Sequence, residues 1–506
     1  MNLFIRGCRE GYFMMRRLLV LLAFVFVAAS AEAQQMMVSP DSHDDFSLGY
    51  SKVIGQDEGG FYVLSSNLSL GISNDRVGLR NRKYQLAYFN QALLRKWSIP
   101  VTGTNESVPD AVSFFDGKVM VVSSSYNKPE AKVIYSVSFI DSAGKSVAIQ
   151  EPVAVISGIR DDYEKGKVIV SSSRSLFAIV TREFTGETAG RLHAVIIDDQ
   201  LKSSRTKTGT INYDEKNFEV TGYALSNDGD LVVLAMNSER VKLLSSKRKN
   251  DYLLYASPSG SDSISEYNIS GEISITGIGV AFDNINRKAV LAGFYTEKES
   301  YIGAGIYYAT LGMQSGDSVR IVKRGLDGQA NIRLRGERNR GANLDLVSYP
   351  IERIVPRQDG GAVIVAEAAY TTEYSFYDSF SQSFSRRLEY NFENIIVISI
   401  NSTGEADWST VVEKSQSSLD DGGMFSSFCS MLNSEQISMV YNDQISRRGR
   451  IMPVVINNTG KSEMLKPFPQ REGMLLLPRG GKQISENEMV VPALIKRKLY
   501  FVKFVF

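Results

Sequence analysis

Short runs rich in β-branched and aromatic residues return along this chain every 52 to 75 residues, and that recurrence constrains the fold more than any other feature. The strongest runs cover 60–66, 118–125, 176–183, 230–236, 288–296, 361–370, 436–441 and 488–495, bounded by Gly, Asn, Asp or Ser. Runs of this kind are strand signals, and long segments with helical periodicity are missing. A unit of this size is one supersecondary motif. It is too small to bury both of its faces alone and must stack on its neighbours.

Each unit repeats its punctuation. A first tight turn falls at Asp57-Glu58-Gly59-Gly60, Asp116-Gly117, Asn227-Asp228-Gly229 and Asp359-Gly360, residues that tolerate positive φ. A second falls at Asp141-Ser142-Ala143-Gly144, Ser257-Pro258-Ser259-Gly260, Asn401-Ser402-Thr403-Gly404 and Asn457-Asn458-Thr459-Gly460. Both tryptophans share one phase: Trp97 follows Asn90 by seven residues, and Trp408 follows Asn401 by seven.

The unit therefore reads strand A, turn, strand B, variable loop, strand C, turn, strand D. In the sixth unit these are 351–356, 361–369, 394–400 and 407–413. Its third strand, Ile395-Ile396-Val397-Ile398-Ser399-Ile400, is apolar on both faces, as a strand packed between two sheets should be. Four-stranded units stacked radially make an all-β fold, the β-propeller. Eight B strands predict eight blades, with seven as the alternative if the terminal pieces combine differently. The last unit, 474–506, is short of a fourth strand, which residues 36–47 are placed to supply. Tyr500, Val502, Phe504 and Phe506 alternate as outer-membrane barrel strands do, but strands such as 395–400 lack a lipid-facing alternation. We read the terminus as an inner closing strand.

The domain reading is a signal peptide over 1–33, an N-terminal segment over 34–47 and a single propeller over 48–506. Arg16 and Arg17 precede an apolar run at 18–29, and Ala31-Glu32-Ala33 follows it, which is the pattern of an export signal. That run falls short of the roughly 20 residues a membrane-spanning helix needs, and no later stretch is longer. Cleavage after Ala33 takes the net charge from +1 to −1 and leaves Cys429 as the one cysteine, read as a small buried hydrophobe. The expected location is the periplasm or the cell surface.

The segment Asn401-Ser402-Thr403-Gly404-Glu405-Ala406-Asp407-Trp408 resembles the Asp/Asn-x-x-Gly-x-x-x-Trp turn of quinoprotein-type propeller repeats. Such repeats occur in quinone-dependent dehydrogenases and in periplasmic scaffolds that assist outer-membrane protein assembly. The mature chain is similar to exported bacterial β-propeller proteins with quinoprotein-like blades. The motif is close in one blade and partial in three, and the first unit has Asn90-Gln91-Ala92-Leu93-Leu94 with no turn glycine. The resemblance implies a fold, which does not fix a function. A quinone enzyme would need more docking tryptophans than two, and a metal site.

Chemistry is scarce: no catalytic residue, no metal ligand set and no cofactor is read from the chain. His193, within 192–196, reads as a packed or edge residue, and His43, beside Asp44 and Asp45, as part of a mobile terminal segment. Asp161-Asp162, Asp198-Asp199 and Asp420-Asp421 read as solvated loop tips, whereas a glycosidase needs two carboxylates converging on a pocket. Calcium-loop, phosphate-loop, HExxH and GxSxG motifs are missing. A net charge of +1 gives no basis for a nucleic-acid partner.

Charge sorts by loop class. In a propeller the B–C and D–A connections share one face, and the A–B and C–D turns share the other. The first group holds Arg76, Arg80, Arg82, Lys83, Lys247, Arg248, Lys249, Arg333, Arg335, Arg338, Arg340, Arg386, Arg387, Arg447, Arg448 and Arg450. The A–B turns hold Asp57, Glu58, Asp116, Asp228, Asp283 and Asp359. The sixth B–C excursion, 371–393, adds Tyr374, Phe376, Tyr377, Phe380, Phe384, Tyr390 and Phe392. Aromatics with Arg are the composition of binding hot spots. The bland alternative is an extended hairpin whose aromatics pack on neighbouring loops.

These observations lead to the expectation of an exported, non-enzymatic binding or scaffold protein of the bacterial envelope. Its partner would be an envelope protein, or an acidic glycan or lipid head group. The expected contacts are Arg76, Arg80, Arg82, Lys247, Arg248, Arg335, Arg338, Tyr374, Tyr377, Phe380, Arg386, Arg387, Arg447 and Arg448. The alternatives are a hydrolase or lyase acting on an extracellular polymer, and a purely structural envelope component.

Overall fold

The structure is a computed structural model and describes residues 34–43, 50–66, 83–103, 106–147, 152–157, 165–184, 189–201, 204–240, 248–271, 273–296, 305–314, 316–325, 349–378, 383–446, 448–469 and 471–506. The proposed signal peptide lies outside them. Among the described residues the strands form eight antiparallel sheets, each with a path of four strands. The first is Tyr50–Asp57, Gly60–Ser66, Tyr84–Asn90 and Arg95–Val101, in that order. The eight runs marked by the sequence are the second strands of the eight sheets, ending with Ala362–Asp378, Gln436–Asn442 and Glu488–Ile495.

The sheets close into a ring because each is apolar on both faces. Eight buried clusters lie between them, and each cluster draws its residues from two consecutive blades. One cluster joins Phe61, Val63 and Phe89 of blade 1 to Val490, Leu499 and Phe501 of blade 8, which completes the circle. Strand C of blade 6, Ser383–Ile400, shows the cause residue by residue: Ile396, Ile398 and Ile400 face blade 5, while Ile395 and Val397 face blade 7. At roughly 1.5–3 kcal/mol for each fully buried large apolar side chain, neither face tolerates exposure. The chain is a β-propeller of eight four-stranded blades.

Blade 8 is built from both ends of the chain. Its order from the axis is Met474–Leu476, Glu488–Ile495, Lys498–Val505 and then Gln35–Val38. The N-terminal strand pairs with the C-terminal one from Gln35↔Val505 to Val38↔Val502. The C-terminal strand is therefore the third from the axis and not the inner closing strand expected of it, because Met474–Leu476 takes the inner place. Its alternation arises because Val502 and Phe504 face blade 7 while Leu499 and Phe501 face blade 1. His43 departs from its expected place in a mobile segment. It is buried, its backbone N–H donates to the Leu499 carbonyl at 2.8 Å, and its ring meets Phe89 edge-on at 4.9 Å.

The turns obey one geometry. Asp116 and Gly117 have φ of 45° and 72°, which a two-residue hairpin of primed type requires. In the C–D turns the side-chain oxygen of Asn90, Asp141, Asn401 or Asn457 accepts from the backbone N–H groups two and four residues on. The fourth position is left-handed in all four. Gly144, Gly404 and Gly460 take it in three, and Leu93, at φ 61°, takes it in the turn that lacks a glycine.

Candidate functional site

Strands B and C of blade 6 run on together past the blade as a two-stranded ribbon, paired from Ala369↔Phe392 to Asp378↔Ser383. The excursion is thus an extended hairpin. Side chains alternate along it, so Arg386 and Arg387 point to opposite sides. One side carries Tyr377 and Phe384, 56% and 77% exposed, with ring centroids 5.2 Å apart in an edge-to-face pair. Arg386 shares that side, and its Nε lies 3.3 Å from Glu373 Oε1. The other side carries Tyr374, whose hydroxyl donates to Glu389 Oε2 at 2.8 Å, and Arg387, 3.8 Å from Asp420 Oδ2. The segment Gln416–Leu419 pairs with Glu389–Phe392 and buttresses the ribbon at its base.

The other expected contacts fall into two groups. Arg76, Arg80, Arg82, Lys247, Arg335, Arg338, Phe380 and Arg447 lie outside the described residues, as do Asp161 and Asp162. Arg248 opens strand C of blade 4 opposite Arg240, and Arg448 is exposed in the turn after Gln436–Asn442. Loop cations also meet acids: Arg450 Nε is 2.9 Å from Asp443 Oδ2.

The A–B acids are largely committed to turns. Asp57 accepts from the backbone N–H groups of Gly59 and Gly60 and from the hydroxyls of Tyr62 and Tyr88. Asp283 is buried and caps Ile285 and Asn286. Counting charges by loop class overstated the free acid on that face.

Sequence reasoning missed the axial channel. A cavity of about 870 Å³ is lined by Arg174, Glu352, Arg353, Arg479, Lys482 and Glu486. A second, of about 460 Å³, shares Arg174 and Lys482 with it and adds Lys52 and Ser113, with no carboxylate. Lys52 and Arg353 come from inner strands, Tyr50–Asp57 and Ile351–Pro356, while Arg174 sits in an A–B turn.

These cations have few partners. Among the described residues, Lys52, Lys167 and Arg353 make no ion pair or hydrogen bond through their side chains. The Arg174 guanidinium lies over the Phe114 ring at 4.7 Å, and Lys482 Nζ donates to the Ile54 carbonyl at 3.0 Å. Burial and the charge of Lys167 lower the pKa of Lys52, which protein surrounds although water reaches it. Burial, reinforced by Arg174, Lys52 and Arg353, brings Lys482 down to about 8. Glu352 is pushed up to about 7 by burial and by Glu367, against the pull of Arg479 and Lys414.

Behind Glu352 a closed network holds the wall. Glu367 and Lys414 are fully buried 2.7 Å apart. Ser427 Oγ donates to Glu367 Oε2 at 2.5 Å, and Lys414 donates to Gln416 Oε1 at 2.8 Å. Arg479 donates to the carbonyls of Gly422 and Gly423 and lies over the Phe392 ring at 5.2 Å.

His193 is buried in strand C of blade 3, 3.6 Å from Glu183, with its pKa lowered by burial. Burial raises the Cys429 thiol to about 12, which leaves it unreactive. Among the described residues no group of three His, Cys, Asp or Glu side chains is placed to hold a metal, and no helix is long and apolar enough to cross a membrane.

No family model and no curated protein matches the sequence. Solved structures do. The chain is similar to a mutant of the Synechocystis apocarotenoid oxygenase (10% identity, 93% of each chain, TM-score 0.37). It is similar to the WD40 domain of SCAP from fission yeast (7% identity, 94% of this chain and 98% of that one, TM-score 0.35). It is also similar to the β-propeller domain of the Trilobed protease from Pyrococcus furiosus (10% identity, 82% and 97%, TM-score 0.32). Nothing functional follows from likeness at this level.

Proposed function

We propose that the chain is an exported, non-enzymatic binding or scaffold protein of the bacterial envelope, which grips an envelope protein through the face bearing the blade-6 ribbon. The observation that carries this reading is the exposed Tyr377–Phe384 pair with Arg386 beside it, held out from the ring on a buttressed hairpin. An aromatic pair desolvates well on contact, and a guanidinium adds a bidentate link to a carboxylate. Export rests on the basic, apolar and small-residue pattern of 1–33. Kinship with quinoprotein-like repeats is supported by the docking of Trp97 and Trp408 onto the following blades' turns.

The test compares the protein with Tyr377→Ser/Phe384→Ser and with Arg386→Ser/Arg387→Ser. Both variants should melt as the parent does, since these side chains are exposed. The first should lose capture of its envelope partner, and the second should bind it with a weaker, salt-dependent affinity. Retention by acidic glycans or anionic vesicles instead would replace the protein partner by one of those. Unchanged capture in both variants would overturn the ribbon as the contact, and no capture by the parent would leave a purely structural role.

One observation favours a second reading, a hydrolase or lyase: Glu352, with its pKa near 7, and Glu486 line one cavity. Loss of polymer cleavage in Glu352→Gln, with the fold intact, would establish it. The excess of cations over carboxylates there favours binding.

A further inference from the structure

We propose that the axial channel is a binding site for a compact polyanion, a ligand carrying two or more phosphate or carboxylate groups, held by Lys52, Arg174, Arg353 and Lys482. The site is separate from the ribbon, so the failure of either proposal leaves the other standing.

Three features of the channel carry this. The two cavities meet at Arg174 and Lys482, so cations stand at their junction, and each volume lies within the range of small-ligand pockets. The smaller cavity has Lys52, Arg174 and Lys482 in its wall and no carboxylate to balance them. Lys52 and Arg353 sit in inner strands where water reaches them from the channel, with no ion pair or hydrogen bond of their own, in a ring whose buried cations are matched.

That contrast is chemical. Buried Lys414 has Glu367, and buried Lys207 donates to the Ser257 hydroxyl and to the carbonyls of Pro258 and Ser261. Crowding like charges without partners costs stability, and an anion bound between them recovers it.

The larger cavity runs between the two ends of the inner strands, with Arg174, Ser485 and Glu486 from A–B connections and Glu352 and Cys429 from the starts of inner strands. Glu352 and Glu486 in its wall exclude a purely anionic rod and favour a ligand whose charges are gathered at one end. Hydroxyls on its other end would meet Glu352, which donates its own proton below neutrality. Lys482 sits among Arg174, Lys52, Arg353, Glu352 and Glu486. An anion placed there strengthens its hold on its proton, so binding near pH 8 draws a proton from solution.

The experiment titrates the purified protein with pyrophosphate, with citrate and with glucose by calorimetry. Pyrophosphate, citrate or both should bind, and their ranking separates phosphate from carboxylate recognition; glucose should not bind. Near pH 8 the heat should scale with the ionisation enthalpy of the buffer. Lys52→Gln and Lys482→Gln should each weaken binding by about tenfold or more, as loss of a charge-assisted contact does. Without ligand both variants should melt at or above the parent temperature, because each removes a repulsive charge. Failure of both anions to bind at about 10 mM, a hundredfold beyond an ordinary 0.1 mM site, overturns the proposal. Equal binding to the Lys52→Gln/Lys482→Gln protein overturns it as well.

Discussion

The indole Nε1 of Trp408 donates to the Asn458 carbonyl of the next blade at 3.1 Å, and its ring covers Gly460, where a Cβ would lie 2.6 Å from Trp408 Cδ2. Trp97 repeats the relationship on blade 2, donating to Ser142 at 2.8 Å and covering Gly144. Blade 5 places Val322 under Gly404 at the same position, and blade 3 sends Lys207 into the blade-4 turn. One site on strand D thus locks blades 1, 3, 5 and 6 to the blade that follows, with different chemistry from blade to blade.

Gly460→Ala should therefore destabilise the ring by about 2–4 kcal/mol, from its φ of 81° and the overlap with the indole. Trp408→Phe should cost about 1 kcal/mol for the lost hydrogen bond. The two should be non-additive in a double-mutant cycle followed by urea unfolding, because they act on one contact. Additive effects would show that the ring and the glycine are uncoupled.

This contact explains what the sequence could disclose. Two rare residues in one register, Asn90 to Trp97 and Asn401 to Trp408, revealed the blade phase because blade docking demands a fixed distance from the turn. The B strands were equally legible, since burial on both faces leaves a continuous apolar run. The axial site was not. Lys52, Arg174, Arg353 and Lys482 are dispersed over 431 positions and meet only once the ring closes, so no local pattern announces them. The place of the C-terminal strand was not legible either: alternation shows that both faces are covered but not the strand's order in its blade, and the expected inner strand is the third from the axis.

Leu93 offers a test of a turn that breaks its own rule. It holds the left-handed position at φ 61° while its side chain is buried between blades 8 and 1. Leu93→Gly relieves about 1–2 kcal/mol of backbone strain but removes a buried leucine worth about 3–5 kcal/mol. The expected result is a net loss of about 2 kcal/mol by urea unfolding. A gain in stability would show that strain outweighs packing there.

The outer strand of blade 8, Gln35–Val38, comes from the other end of the chain. Deleting 34–38 removes the pairing partner of Lys498–Val505 and exposes its edge, together with part of the cluster that Met36 and Val38 join. Such an edge recruits other chains. The shortened protein should melt at a lower temperature and show concentration-dependent dimers in light scattering. A monomer of unchanged melting temperature would mean that blade 8 holds with three strands.

Lys414→Met should be severe, because it strands the fully buried Glu367 carboxylate without its cation. The expected cost is about 3–5 kcal/mol. Lys414→Met/Glu367→Met should recover most of that loss in thermal melts, since the pair's desolvation disappears with it. A double variant as unstable as the single one would show that Ser427 and Gln416, and not the ion pair, hold the wall.

Glu352 sets a pH dependence of definite sign. Its pKa of about 7 in the fold lies above the ordinary 4.5, so between those values the native state keeps a proton that the unfolded chain releases. Its contribution is complete below pH 4.5 and is lost as the pH rises through 7. Glu352→Gln remains neutral throughout, so it should melt above the parent at pH 8 and together with it at pH 4.5. The gap should open over the interval in which Glu352 ionises against Glu367, with Arg479 and Lys414 limiting its size. A constant offset at both pH values would assign the titration to another group.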